Sequence, residues 1–217
     1  MTTGCQVFDD LFQNLESDVI TTVYGPGGTG KTTMCMLAAI QVVRNGGKVM
    51  YMDTEGGFSV ERFKQVAGPD YEQLLEKITF VKPVTFEEQA RTLQTLKDKL
   101  SDEIQLLVMD SIAMLYRLEL GKDDKYEASR NLGTQISYLT EIARRKKIPV
   151  LVANQIYTNI DNGQARMVGG DLLIYGSKCL VEIEKTGTLR KGTLKKHRSK
   201  PEKSVVFKLT QEGTTLA

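Results

Sequence analysis

The chain has 217 residues, 41% of them hydrophobic and 26% charged, the size and composition of one globular domain with a full core. Its 29 basic residues nearly cancel its 27 acidic ones, so no global charge points to nucleic acid or a membrane surface, and any such argument has to be local. Cys5, Cys35 and Cys179 lack both metal-ligand spacing and disulfide density, the N-terminus carries no signal pattern, and no apolar run approaches the roughly 20 residues of a spanning helix. One soluble, cytoplasmic domain over residues 1–217 with no membrane contact is expected.

In chain order, the short amphipathic stretch VFDDLF precedes DVITTVYG, a strand rich in β-branched residues that stops at a Gly/Pro turn and opens into the helical run KTTMCMLAAIQVVRN. The alternation then recurs. KVMYMD, KITFV and IQLLVMD read as strands, with SVERFKQVA and FEEQARTLQTLKDKL as helices between them. A helix over about 126–147 feeds the apolar strand IPVLVAN, and the turn-rich YTNIDNGQARMVGG breaks the rhythm. CLVEIEK, GTLKKH and SVVFKLT alternate apolar with polar and read as antiparallel strands. Strands too apolar to alternate are buried on both faces, so the fold class is α/β: a mostly parallel central sheet flanked by helices, with antiparallel strands at the C-terminus.

GPGGTGKT, residues 25–32, matches G-x-x-x-x-G-K-[ST] and lies between a strand and a helix, the context this phosphate loop requires. Glycines let successive backbone N–H groups turn inward around phosphate oxygens beside a helix N-terminus. Gly25, Pro26, Gly27, Gly28, Thr29, Gly30, Lys31, Thr32 and Thr33 are therefore the expected nucleotide-binding residues. Lys31 would reach the β- and γ-phosphates of ATP, and the Thr32 hydroxyl would hold Mg²⁺. Asp110, where the buried strand LLVMD ends, is the second expected magnesium group. In YMDTEGGF, Glu55 is a candidate for activating water, with Asp53 as a cap or supporting group.

The succession GPGGTGKT, YMDTEGGF, LLVMDSIAMLYR, LVANQ and a loop ending in Gly-Gly resembles the RecA-like P-loop NTPase core of the RecA/RadA recombinases, most of all the short archaeal paralogues of RadA. The resemblance implies that Glu55 activates the attacking water, that Arg62 packs on adenine, and that Gln155 senses the γ-phosphate and relays it to a DNA-binding loop. It further implies two DNA-facing loops, about Tyr116–Arg130 and Ile156–Gly170, with Arg117, Arg130 and Arg166 as candidate contacts. Asp123 and Asp124 stand where recombinases carry a Gly-Arg-Gly stretch, the second loop is short, and Tyr175 follows where many relatives place histidine. The helical N-terminal domain and its docking linker are missing relative to RadA, so the usual filament joint is not expected.

Cations cluster at Lys185, Arg190, Lys191, Lys195, Lys196, Arg198, Lys200 and Lys203, with Glu202 as the acid among them. Three destinations fit: solvent on the face of an edge hairpin, DNA phosphates met by Lys195, Lys196 and Arg198, or a neighbouring subunit's nucleotide, where Lys196 and Arg198 resemble the basic finger of hexameric relatives. His197 sits among them. The expected function is an ATP- and DNA-binding accessory protein of homologous recombination and repair, with weak DNA-linked ATPase activity and single-stranded DNA as the expected nucleic acid. The alternative is an active filament-forming strand-exchange recombinase. By resemblance, the protein partners are a RadA-type recombinase and a Holliday-junction resolvase, with a homo-oligomer possible.

Overall fold

A computed structural model describes residues 2–121, 125–158 and 165–217, the side chains of residues 158, 165 and 166 excepted. Its elements in order are α1 (Gln6–Leu11), β1 (Ile20–Gly25), α2 (Lys31–Arg44), β2 (Lys48–Asp53), α3 (Val60–Ala67), α4 (Tyr71–Leu75), β3 (Ile78–Val81), α5 (Phe86–Lys99), β4 (Ile104–Asp110) and α6 (Met114–Glu119). There follow α7 (Lys125–Lys146), β5 (Val150–Thr158), β6 (Ala165–Met167), α8 (Gly170–Gly176), β7 (Cys179–Thr186), β8 (Leu189–Lys196), β9 (Lys203–Thr210) and β10 (Gly213–Leu216).

One sheet runs through the molecule in the order β10-β9-β8-β7-β1-β5-β4-β2-β3, with β6 paired to β5. β1 is parallel to both β5 and β7, and β4, β2 and β3 continue the parallel half. β7 to β10 are antiparallel. The apolar runs read from sequence divide between the two faces with the period of two that a pleated strand imposes. Val49, Tyr51, Leu106, Val108, Leu151 and Ala153 join the core beneath α1, α2 and α3. Met50, Met52, Leu107, Met109, Val150 and Val152 join the one beneath α5, α6, α7 and α8.

Local chemistry fixes the helix starts. Ser59 accepts a hydrogen bond from the Arg62 amide, and Thr85 accepts one from Glu88. Glu88 Oε2 in turn accepts from the Val84 amide at 2.9 Å, a cap closed from both sides. Several short elements depart from the sequence reading, among them these two. Tyr116 to Glu119, expected at the start of a DNA-facing loop, belong to α6, because Leu115 and Tyr116 are buried against the core. The strand expected to stop near residue 154 continues to Thr158, because β6 folds back on it with Ile156 opposite Met167 and Tyr157 opposite Arg166.

Gly25 ends β1 at φ +157°, where a Cβ atom would collide with the Ile183 carbonyl oxygen of β7. Gly25→Ala is therefore expected to force these strands apart and cost about 2–3 kcal/mol, in the range of other overpacked sites. Thermal denaturation of the two proteins measures this, as a midpoint lowered by several degrees.

Candidate nucleotide site and adjoining groove

β1 ends at Gly25 and α2 begins at Lys31, so residues 26–30 form the turn between the central strand and its helix. Gly28 and Gly30 sit at φ +71° and +98°, a region that side chains with Cβ avoid, and this aims the loop amides inward. β9 closes over the loop: a Cβ at Gly30 would lie 2.6 Å from a Leu209 methyl. Lys31 is buried, and its ammonium donates to the Gly25 carbonyl at 2.9 Å and the Pro26 carbonyl at 2.8 Å. Burial depresses its pKa, opposed by Glu55 and Asp110 nearby.

Asp110 ends β4, one strand removed from β1 across β5. It is 4% exposed and accepts a hydrogen bond at 3.0 Å from the Tyr51 phenol, with the Thr32 hydroxyl close enough to favour its charged form. Burial pushes its carboxyl up to about 6, aided by the negative fields of Glu55 and Asp53. The peptide bond between Asp110 and Ser111 is cis.

Asp53 is buried at the end of β2 and accepts from the amides of Gly57 at 3.1 Å and Phe58 at 3.2 Å. Those bonds shape the turn that carries Glu55. The Glu55 carboxylate accepts from the Ser111 hydroxyl, and Gln155 donates its amide to both carboxylate oxygens, at 2.9 and 2.8 Å. Glu55 and Gln155, one hundred residues apart, are thus joined directly.

Arg62, on the first turn of α3, points across α2: its guanidinium donates to the Thr210 carbonyl at 2.8 Å and the Gln211 carbonyl at 3.0 Å, with Thr33 Oγ1 at 3.5 Å. The β9–β10 turn thereby fixes a flat cation beside the start of α2. Of the expected site residues, Gln155 contacts Glu55, Arg62 reaches Thr33, and Glu55 and Asp110 lie near enough to Lys31 to act on its charge. Sequence reasoning passed over Tyr51, Ser111, Leu209 and the carbonyls of the β9–β10 turn. Ser111 was findable as the residue after Asp110; the others depend on strand pairing.

The residues fit a magnesium-bound nucleoside triphosphate. The loop glycines leave a cradle that Cβ atoms would fill, Lys31 is held by the loop carbonyls of Gly25 and Pro26, and a buried acid with a raised pKa beside a hydroxyl is relieved by a divalent cation.

Beyond Gln155 lies an open groove of about 1250 Å³ lined by residues of β1, α6, α7, β5 and α8, among them Tyr24, Tyr116, Arg117, Tyr126, Arg130 and Tyr157. Tyr126 is 83% exposed and Tyr157 44%, while Tyr116 is held by a hydrogen bond to Ser129. Arg117 and Arg130 are exposed, and Asp171 and Glu182 stand on the groove's walls. Residues 122–124 and 159–164, with the expected Asp123 and Asp124 and most of the second loop, lie outside the described residues, as does the Arg166 side chain.

The basic stretch behaves otherwise than its sequence suggests, because the fold brings acids to it from the N-terminal segment. Arg198 pairs with Glu16 at 3.0 Å and Asp18 at 3.4 Å, Lys203 with Asp10 at 2.6 Å, and Lys195 with Glu202 at 3.2 Å. The Lys196 ammonium donates to the Ile174 and Ser177 carbonyls at 2.6 and 2.9 Å. His197 stacks on Phe12, its Nδ1 accepting from the Ser199 amide, and burial lowers its pKa.

A phosphate loop after the central strand, an acid one strand away, a carboxylate on the intervening turn and an antiparallel C-terminal half define a RecA-like P-loop NTPase core. The Rad51 family model matches residues 1–216, and the chain belongs to that family, in its RadB branch. It is 40% identical over 203 residues to the DNA repair and recombination protein RadB of Methanococcus maripaludis, covering 92% of each chain. It is 39% identical to the same-named protein of Methanoculleus marisnigri, over 98% of this chain and 96% of that one. A solved structure titled as that of the RadB recombinase superposes with a TM-score of 0.82 at 33% identity, covering 98% of this chain and 97% of the other.

Proposed function

We propose that the chain is an ATP- and Mg²⁺-binding protein of DNA repair and recombination that hydrolyses ATP weakly, binds single-stranded DNA in the tyrosine-lined groove, and assists a principal recombinase. One observation carries the reading: Gln155 touches Glu55 in the nucleotide crevice and stands on β5, which runs three residues further to Thr158 beside the groove. A shift of this amide from Glu55 to a terminal phosphate would free the carboxylate and pull on the strand that carries Tyr157. Bound magnesium supplies charge neutralisation along the phosphates. The chain's own groups do the rest. Lys31 trades loop carbonyls for phosphate, Thr32 and Asp110 hold the cation, Arg62 offers its flat face to the base, and Glu55 takes a proton from water.

Weak turnover is supported by the pairing of Arg198 with Glu16 and Asp18 and of Lys196 with backbone carbonyls, which occupies the groups resembling a basic finger. A RadA-type recombinase and a Holliday-junction resolvase are proposed as protein partners on likeness alone.

The groove offers what sequence-tolerant binding of a single strand needs: exposed aromatic faces for bases and arginines for phosphates. The salt dependence of oligonucleotide binding, with and without ATP and magnesium, tests it. Each lost phosphate contact should make the log–log slope shallower by about 0.7, so Arg117→Ala/Arg130→Ala should lose about 1.4. A Lys195→Ala/Lys196→Ala/Arg198→Ala protein, whose cations are already paired, should change less. An unchanged slope in the groove variant, or an affinity indifferent to nucleotide, defeats the reading.

A further inference from the structure

β7 does more than pair with the central strand: it lies beside β1 as far as Tyr24 opposite Glu182, and three residues later it delivers Lys185. A Cβ at Gly28, the fourth residue of the loop, would lie 3.5 Å from the Lys185 ammonium. The field of Lys185 is also felt at Lys31, whose pKa it helps to lower after the larger effect of burial. Among the described residues Lys185 has no hydrogen bond and no ion pair, although most of its basic neighbours in β8 and β9 have found acids or carbonyls.

Arg190 is the residue directly opposite Lys185 in the β7–β8 pair, and Phe207 is directly opposite Arg190 in β9. Directly paired residues project from the same face of a sheet, so these side chains share one face. It is the face that meets the phosphate loop, since Phe207 is in the core beneath α2 and Leu209, one pleat further along β9, covers Gly30. One Arg190 terminal nitrogen donates to the Thr188 carbonyl at 2.8 Å, while its Nε is buried without an acceptor. Like charges placed directly opposite on antiparallel strands repel. Lys185, Arg190 and Lys31 thus converge on one loop, and the first two carry unused donors. The buried Arg190 Nε without an acceptor and the repulsion between the two opposed cations are both relieved by an anion placed between them.

We propose that Lys185, backed by Arg190 across the β7–β8 pair, is a phosphate-binding residue acting within the same chain, contacting the terminal phosphate of the nucleotide and setting the preference for triphosphate over diphosphate. The inference rests on the nucleotide reading above and extends it to the second half of the sheet. It also gives the hairpin a use distinct from that of Lys195, Lys196 and Arg198, which are held by their own neighbours. The triphosphate brings one more charged group to the tip of the loop than the diphosphate, and Lys185, unpaired among the described residues, is placed to meet it.

ATP and ADP affinities, measured by calorimetry with magnesium for the full chain, test this. One charge-assisted hydrogen bond corresponds to about tenfold in affinity. Lys185→Ala should weaken ATP by about tenfold while leaving ADP within about twofold, and Lys185→Arg should restore most of the preference. Arg190→Gln should show the same direction with a smaller change. Lys185 is exposed at the end of its strand, so its replacement leaves the core untouched, and circular dichroism checks this. An unaltered ATP-to-ADP ratio in Lys185→Ala, with the wild type binding ATP, overturns the inference and leaves the nucleotide reading standing. Weaker DNA binding with that ratio unaltered also overturns it, since the cation would then serve polynucleotide. Failure of the wild type to bind either nucleotide would defeat the nucleotide reading itself.

Discussion

Glu55→Gln is expected to lower ATP turnover by about 10²- to 10³-fold while nucleotide affinity stays within a few-fold. The carboxylate sits on a turn held by Asp53, outside the packed core, and its hydrogen bonds come from Ser111 and Gln155, both of which a glutamine carbonyl also satisfies. The substitution is therefore near-isosteric for the fold and removes only the capacity to accept a proton. Phosphate release with and without single-stranded DNA reads the first quantity, and calorimetric titration reads the second. Retention of wild-type turnover would remove Glu55 from the chemistry and leave the Glu55–Gln155 contact as a structural tie.

Asp110→Asn is expected to separate stability from function. Magnesium-dependent turnover should fall by at least about 100-fold, because the group held against Thr32 no longer carries a charge for the cation. Without nucleotide, the same change should stabilise the protein at neutral pH. Burial raises this carboxyl from 3.8 to about 6, so between those values the folded protein holds a proton that the unfolded chain has released. Its contribution is present at low pH and is lost as pH rises through about 6, a difference of about 3 kcal/mol when complete. Asparagine has no charge to desolvate, yet accepts the Tyr51 and Thr32 hydroxyls less well, so a net gain of about 1–2 kcal/mol is expected. Melting curves at pH 4.5 and pH 8, values set on either side of the transition, should show the variant's advantage widening at the higher pH. A variant less stable than wild type at pH 8 would show that the Tyr51 and Thr32 hydrogen bonds outweigh the buried charge.

Much of the molecule was legible in the chain because its determinants are local. GPGGTGKT specifies a turn by the positive φ its glycines permit, and a lysine and threonine placed at a helix start can face nowhere but that turn. The apolar strands KVMYMD and IQLLVMD announce burial on both faces, and Ser59 and Thr85 mark where helices begin. α6 and β10 were missed for a shared reason. Each is short, and tertiary contacts stabilise it: Leu115 and Tyr116 sit in the core, and β10 pairs with β9. The basic stretch misled because a count along the chain sees Glu202 but not Glu16, Asp18 or Asp10, which arrive from 180 or more residues away in sequence.

By itself the sequence determined a phosphate loop, its strand-and-helix frame, the acids at the ends of β2 and β4, and membership in a family whose order of motifs it reproduces. Tertiary structure alone decided which charges are free. The order of strands in the sheet and the register of β7 against β1 leave Lys185 beside Gly28 with no partner among the described residues, bind Arg198 to carboxylates near the N-terminus, and set Gln155 against Glu55. The physical reason is range. Backbone conformation and burial period are written in a few neighbouring residues, whereas electrostatic partnership depends on distances between segments, which exist only once the sheet has closed around its two cores.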